Sequence, residues 1–384
     1  MSRLVSFPPA LDSNPYQRLL YEHLAAEGFE VVEGEGVEEG FLRFRWIARH
    51  RADVDILHFH WPQGLWHHHG GPAALRRPLS WVKLALLAAR LPFARRLGYR
   101  LVWTIHQVNP HEGGGRLDRA GARLLARNCD LLLAHDEATA ADARARLGRA
   151  ARNVEIVPHG NYRGVYPAGR PREEARAELG IAPDAFAFLC FGEIRAYKGI
   201  DRLLEAFTAA DLPGARLVIA GRPVDQASDA AVREAAARDP RIVPLLGFVP
   251  DERVTELFAA CDAAVLSRKP GTSGSLLLAL SVDTPAVAPQ APAYDDLLDG
   301  GAAGWLFDAA TPGALAAALA AAASDPEAAR AKAAAAGRVA DRLAWPGIAA
   351  QVAELLRAQP RRPRRRSSSS SATTSGARQA THGP

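Results

Sequence analysis

Two stretches of the 384-residue chain carry residues suited to a phosphorylated ligand. The first, FGEIRAYKG (Phe191–Gly199), stands between an apolar β-type run and a helical pattern. Gly192 permits close backbone approach. The start of the following helix offers unpaired amides and the positive end of its dipole, and Arg195 and Lys198 add two cations three residues apart. A diphosphate needs that combination, although two solvated bases in a βα loop have the same spacing. The second stretch, PGTSGSLLLALS (Pro270–Ser281), opens a wholly apolar helix with small polar residues. Ser273 or Ser275 can cap that helix, and Ser273, Gly274 and Ser275 form a second phosphate cradle. Loops at the strand ends of one parallel sheet converge at its carboxyl edge, so the pair points to a nucleoside-diphosphate site. Between them, Gly247, Phe248 and Val249 of GFVPDERV are the candidate contacts to the base; a plain strand-to-helix turn explains them equally well.

The first half of the chain supplies histidines and one acid. HFHWP (His58–Pro62) ends a strand, and the period of two puts His58 and His60 on one face. TIHQVNPHE (Thr104–Glu112) ends the next strand and adds His106, His111 and Glu112. One strand-end histidine is usually structural, but several at one sheet edge with Trp61 beside them suggest a pocket. His67, His68 and His69 lack acidic or cysteine partners at ligand spacing, so they are expected in an exposed loop and no metal site is expected.

The elements that position these groups alternate throughout. Strands are expected at 3–7, 55–59, 100–105, 131–135 and 155–157, then at 186–191, 216–220, 242–245, 263–266 and 286–288. Helices lie between them, including 15–26, 199–209, 251–260 and 275–281. The βαβα order implies parallel sheets covered by helices, hence an α/β fold of two Rossmann-like halves in series. The Gly- and Pro-rich stretch Asn161–Arg172 marks the boundary. The expected domains are residues 1–165 plus a returning helix 345–358, and residues 166–344. The alanine run 314–323 is expected as a solvent-facing helix.

Composition narrows the class further. The chain is 48% hydrophobic and 23% charged, which is ordinary for a globular protein. Three cysteines are too few for a disulfide framework. No charged-then-apolar leader opens the chain and no uncharged run of 18 apolar residues occurs, so a cytoplasmic location is expected. The formal charge of +5 belongs to the tail 359–384, which holds six arginines and no acid; without it the charge is −1. With 43 of 47 basic residues arginine, the excess reflects composition, and no specific nucleic-acid partner is expected. The tail is expected to be disordered. The helix 73–97 carries Arg76, Arg77, Lys83, Arg90, Arg95 and Arg96 beside Trp81 and Phe93. Such a helix either lies on an anionic membrane surface or packs on the core with a solvated basic face.

The motifs HFHWP, TIHQVNPHE, VPHGNYRGVYP (Val157–Pro167), GEIRAYKG and SGSLLLALS resemble those of the xanthan-type GDP-mannose:glycolipid 4-β-mannosyltransferase family of GT-B glycosyltransferases, as does NPYQRLLYEHL (Asn14–Leu24). The resemblance spans about residues 3–358. GEIRAYKG is shared more loosely with the large retaining GT-B family. That family's two glutamates, eight positions apart, fall here on Pro270 and Leu278, and Glu193 replaces its arginine. The departure argues for the inverting, xanthan-type group and leaves ribose recognition unexplained.

The resemblance implies a GT-B fold, with acceptor bound by the first domain and sugar nucleotide by the second. It implies transfer of a hexose, with GDP-mannose the favoured donor, to a glycan or lipid-linked acceptor in polysaccharide or glycoconjugate biosynthesis, and no further cofactor. An inverting displacement needs a base for the acceptor hydroxyl, with Glu112 the first candidate and His106 the second. Arg195, Lys198 and Ser273–Ser275 would hold the diphosphate without a metal. His58, His60, Trp61 and His111 would line the acceptor side, with His159 and Asn161 at the crossover touching sugar or hinge. A peripheral position on the inner face of the plasma membrane fits the basic helix and tail. A retaining GT-B enzyme, a sugar-nucleotide epimerase and a carbohydrate-binding protein with a decayed site remain as alternatives.

Overall fold

The computed structural model describes residues 2–9, 15–32, 41–108, 115–195, 198–210, 212–267 and 274–359. His111, Glu112 and Ser273, and the arginine-rich tail from residue 360, lie outside the described residues.

The first sheet contains β1 (Ser2–Phe7), β2 (Phe29–Val31), β3 (Ile56–Phe59), β4 (Arg100–Ile105), β5 (Leu131–Ala134) and β6 (Val154–Ile156), in the order β2-β1-β3-β4-β5-β6. The second contains β7 (Ala187–Phe191), β8 (Arg216–Gly221), β9 (Ile242–Leu246), β10 (Ala263–Val265), β11 (Ala286–Pro289) and β12 (Gly304–Phe307), in the order β12-β11-β10-β7-β8-β9. Every pairing is parallel, with registers such as Ile56 against Arg100, Val102 against Leu131 and Leu189 against Ala264. Helices cross over between strands, notably Tyr16–Ala26, Ala73–Arg96, Ile200–Ala209 and Asp251–Ala260.

A parallel sheet covered on both faces buries both sets of alternating side chains. Leu4, Ile56, Val102 and Leu131 face one core, while Val5, Leu57, Leu101, Trp103 and Leu132 face another. In the second sheet Ala187, Leu189, Val218 and Ala264 join the first of these cores, and Phe188, Leu217, Ile219 and Val265 face a third. The two strands absent from the sequence reading, β2 and β12, are both edge strands, where half the pairing and burial is missing. The alanine-rich helix Ala314–Ser324 is not solvent-facing all round, because Leu315, Leu319 and Ala322 are buried in the third core.

The helix Trp345–Ala358 packs on the elements of the first sheet. Arg100 donates to the Leu356 carbonyl at 2.7 Å and Gln351 to the Ile156 carbonyl at 3.0 Å. Asn161 joins the two crossings: its backbone N–H meets the Leu343 carbonyl, its side-chain amide donates to the Ala340 carbonyl at 2.7 Å, and its carbonyl accepts from the Trp345 indole at 2.6 Å. Gly160 lies flat beneath that indole, where a Cβ would stand 2.4 Å from the Trp345 ring. Gly160→Ala is therefore expected to displace Trp345 and lower stability by about 1–3 kcal/mol, the cost of overpacking. Urea unfolding of the variant and the wild type checks this.

Candidate active site

The expected donor side is built at the carboxyl edge of the second sheet. β7 is followed by Gly192, which has φ +106°. A Cβ placed there would lie 3.3 Å from Ser275 Oγ and 3.6 Å from Lys198 Nζ, so a bare backbone turn, a hydroxyl and an ammonium meet at one point. Ser275 donates to the Phe191 carbonyl at 3.2 Å, tying the start of the helix Gly274–Ser281 to the end of β7. Gly221, at the end of β8, lies directly against this turn; a Cβ on it would fall 2.0 Å from the Gly192 carbonyl oxygen. Ser267 Oγ sits 2.8 Å from both the Lys198 and Gly199 carbonyls and holds the backbone that carries the lysine. Gly199 takes a left-handed φ of +71° to start the helix Ile200–Ala209.

The sequence reading placed Arg195 on the diphosphate. In the structure its guanidinium lies on Glu193, 2.9 Å away, and Arg222 takes the other carboxylate oxygen at 3.1 Å. These arginines hold the Glu193 carboxyl below its ordinary range, against the opposing effect of burial. The glutamate that departs from the broad family pattern thus engages the arginine two positions on. Beside this, Gly247 donates to the Gly221 carbonyl at 3.0 Å, and Phe248 projects from the end of edge strand β9 with 82% of its surface exposed. Val249 is half-buried in the same turn.

The expected acceptor side is a cluster of imidazoles. His60, His106 and His135 each follow the last residue of a strand, and β3, β4 and β5 are neighbours. Parallel strands about 4.8 Å apart set the three rings side by side in sheet order. His60 Nδ1 lies 3.2 Å from His106 Nε2, and His106 Nδ1 lies 3.2 Å from His135 Nε2. Tyr21 joins His60 at 2.7 Å and His58 at 3.1 Å, and His58 reaches Thr104 at 2.9 Å. His159 reaches the Gly160 carbonyl at 2.6 Å and the Tyr162 hydroxyl at 3.4 Å. Tyr162 in turn borders Gly274, so the cluster leads to the donor helix.

Burial corrects the expectation for two histidines. His58 and His60 are enclosed and hydrogen-bonded to protein groups, so they do not line an open pocket. Asn161 is buried with its amide committed to the returning chain, the second of the two places expected for it. His159 is likewise buried. Trp61 and His106 keep partial exposure and stack with centroids 4.3 Å apart and planes 12° apart. The His67–His69 loop is also less exposed than expected: His67 is half-buried and bonded to Asp118 at 2.6 Å, and only His69 is exposed. Among the described residues no group of three or more acidic, cysteine or histidine side chains is arranged to hold a metal ion.

Residues 171–339 match the family described as glycosyl transferases group 1. Over 302 residues the chain is 30% identical to the GDP-mannose:glycolipid 4-beta-D-mannosyltransferase of Xanthomonas campestris pv. campestris, covering 78% of this chain and 76% of the relative. This chain belongs to that glycosyltransferase family. Solved structures agree on the GT-B fold. Anabaena Alr3699/HepE in complex with UDP superimposes with a TM-score of 0.68 at 18% identity, covering 93% of this chain and all of that one. Sucrose-phosphate synthase from Thermosynechococcus elongatus gives 0.69 at 17% identity, covering 93% and 98%.

This glycosyltransferase carries features that the residue-by-residue reading missed. His135 and Tyr16 were not singled out, although LLLAHD places a histidine one residue past a strand in the same way as TIHQ and HFHWP do. Tyr16, on the helix Tyr16–Ala26, sits with its ring centroid 4.6–5.6 Å from those of His159, His106, His135 and His60. Burial drives the proton affinity of the cluster down. It pushes the imidazoles of His58 and His159 down to about 3 and that of His135 down to about 4, where the Val157 carbonyl partly offsets it. His60 and His106 are pushed well below the ordinary value by burial and then by neighbouring rings.

A folded-state value below the unfolded value of 6.5 means that the unfolded chain binds more protons in that window. Stability is therefore complete above about pH 6.5 and declines as pH falls from there towards 4. A His58→Asn variant is expected to show a shallower decline by about one proton, measured as urea midpoints between pH 7.5 and 4.5.

Proposed function

We propose that this glycosyltransferase moves mannose from GDP-mannose to a lipid-linked glycan with inversion at the anomeric carbon. The observation that carries the reading is the convergence of the Gly192 turn, Lys198 Nζ and Ser275 Oγ at the start of the helix Gly274–Ser281. Its relationship to the Xanthomonas mannosyltransferase supports the choice of donor and acceptor class. In this reading the acceptor oxygen attacks the anomeric carbon as the bond to the diphosphate breaks. The charge that develops on the leaving diphosphate is stabilised by the Lys198 ammonium and the helix-start amides, with no metal needed. Arg195 joins them when it exchanges Glu193 for a phosphate oxygen. The hydroxyl proton goes to the Glu112 carboxylate. Leu278 is buried on the apolar face of its helix, so the second glutamate position of the retaining pattern offers the donor no hydrogen bond.

Lys198→Ala is expected to weaken GDP binding at least tenfold by removing a charge-assisted contact. Isothermal titration checks this, and equal affinity in variant and wild type would remove the diphosphate assignment. Glu112→Gln is expected to leave GDP affinity intact while lowering kcat about a hundredfold, the scale of a lost general base. NMR of the product reports the anomeric configuration, and an α-mannoside would overturn inversion.

The helix Ala73–Arg96 supports a peripheral membrane location on the cytoplasmic face. Leu84, Leu87, Leu91 and Ala94 are buried against the domain, while Leu75, Leu79, Val82 and Leu86 form a second apolar stripe with exposures between 38% and 54%. Arg76 and Arg77 are exposed beside it, the pairing an anionic interface favours. Among the described residues no helix is long and apolar enough to cross a membrane. Leu79→Glu combined with Val82→Glu is expected to abolish sedimentation with phosphatidylglycerol vesicles while leaving GDP binding unchanged.

A further inference from the structure

The hydrogen bonds of the imidazole cluster fix where each proton resides. A backbone carbonyl only accepts, so His135 Nδ1, 3.2 Å from the Val157 oxygen, carries a proton. A neutral ring has one N–H, so His135 Nε2 is bare and receives the proton of His106 Nδ1. His106 Nε2 is then bare and receives from His60 Nδ1. His60 Nε2 receives from the Tyr21 hydroxyl, whose oxygen accepts from His58 Nδ1. His58 Nε2 receives from Thr104. One carbonyl thus sets the tautomer of four rings, all Nδ1–H, and the Gly160 carbonyl sets the same tautomer in His159. The chain has a single direction. A charged His106 would donate from both nitrogens and would require His60 and Tyr21 to reverse their protons.

Two observations show what this order serves. His106, alone of the five rings, is only half-buried, and it lies flat on the half-buried Trp61. Its two nitrogens both point at neighbouring rings, leaving neither for a ligand. Tyr16 packs its ring against those of His60, His106, His135 and His159.

We propose that His135, His60 and Tyr16 are positioning residues that hold His106 uncharged, as the Nδ1–H tautomer, against Trp61. The pair is an aromatic platform for a sugar ring of the acceptor, and His106 is not the base that takes the acceptor proton. A sugar's C–H face packs on such a surface and displaces little ordered water. This rests on the glycosyl-transfer reading for the identity of the ligand, but not for the proton arrangement.

The test uses full-length protein labelled with 15N-histidine and long-range 1H–15N correlation at pH 7.5. All five rings are expected neutral with the proton on Nδ1; an Nε2–H ring or an imidazolium at His60, His106 or His135 overturns the chain. Titration with octyl β-cellobioside is expected to shift the His106 resonances at millimolar concentration, and no shift overturns the platform. His135→Leu removes the acceptor of the His106 proton. It is expected to release the His106 tautomer and weaken octyl cellobioside binding about tenfold, with GDP affinity unchanged. His135→Gln, whose carbonyl stands where Nε2 was, is expected to restore most of that binding. Unaltered binding in His135→Leu, or no rescue by His135→Gln, would overturn the positioning role. If His135→Leu fails to fold, the wild-type spectra and His135→Gln still decide. None of these measurements needs turnover, so absence of mannosyl transfer would sink the proposed reaction without touching them.

Discussion

The contact between Gly192 and Gly221 governs what the second domain can hold. Parallel pairing brings the carboxyl ends of β7 and β8 to one edge, and there the two backbones touch so closely that a Cβ on Gly221 would overlap the Gly192 carbonyl. Because the turn has no side chain of its own, Lys198 Nζ and Ser275 Oγ can close on the same spot. An anion placed there meets an ammonium, a hydroxyl and the end of a helix dipole without an intervening methyl group. Ser267 extends the constraint by holding the carbonyls of Lys198 and Gly199, so the lysine's own backbone is anchored from a neighbouring strand.

The first domain solves the opposite problem. It buries polar rings at the equivalent sheet edge and satisfies them with one another. Strand spacing alone sets the order of His60, His106 and His135, and each ring's second nitrogen is met by the next ring, a hydroxyl or a carbonyl. Such a network is stable only when complete, because each nitrogen left bare in that interior would carry a desolvation cost of about 1–3 kcal/mol. The same completeness makes it sensitive to acid, since any added proton needs an acceptor the interior lacks.

Most of the architecture was legible because a doubly covered parallel sheet writes itself as unbroken apolar runs. RLVWTI and LLLAH are such runs, whereas FEV and GWLF interrupt their apolar residues with Glu30 and Gly304 and left no such trace. The donor loops were legible from glycines, cations and small hydroxyls in sequence. What the sequence hid was direction. Arg195 has the spacing of a phosphate ligand, yet the carboxylate two residues earlier is nearer. His58 and His60 have the alternation of a pocket wall, yet the helix carrying Tyr16 and Tyr21 covers them. Whether a strand-end side chain faces solvent depends on which helix lies over it, and that is a long-range fact that local pattern does not contain.

The two edges are joined by the crossing at residues 159–162. His159 belongs to the imidazole cluster by ring contact with His135 and Tyr16, and its Nε2 faces the Tyr162 hydroxyl. Tyr162 takes its backbone N–H to Ser281 and brings its hydroxyl beside Gly274, so it touches both ends of the helix that begins at the donor site. Asn161, between them, is bonded to the returning chain at Ala340, Leu343 and Trp345. Three of four consecutive residues, His159, Asn161 and Tyr162, therefore contact the imidazole cluster, the returning chain and the helix Gly274–Ser281.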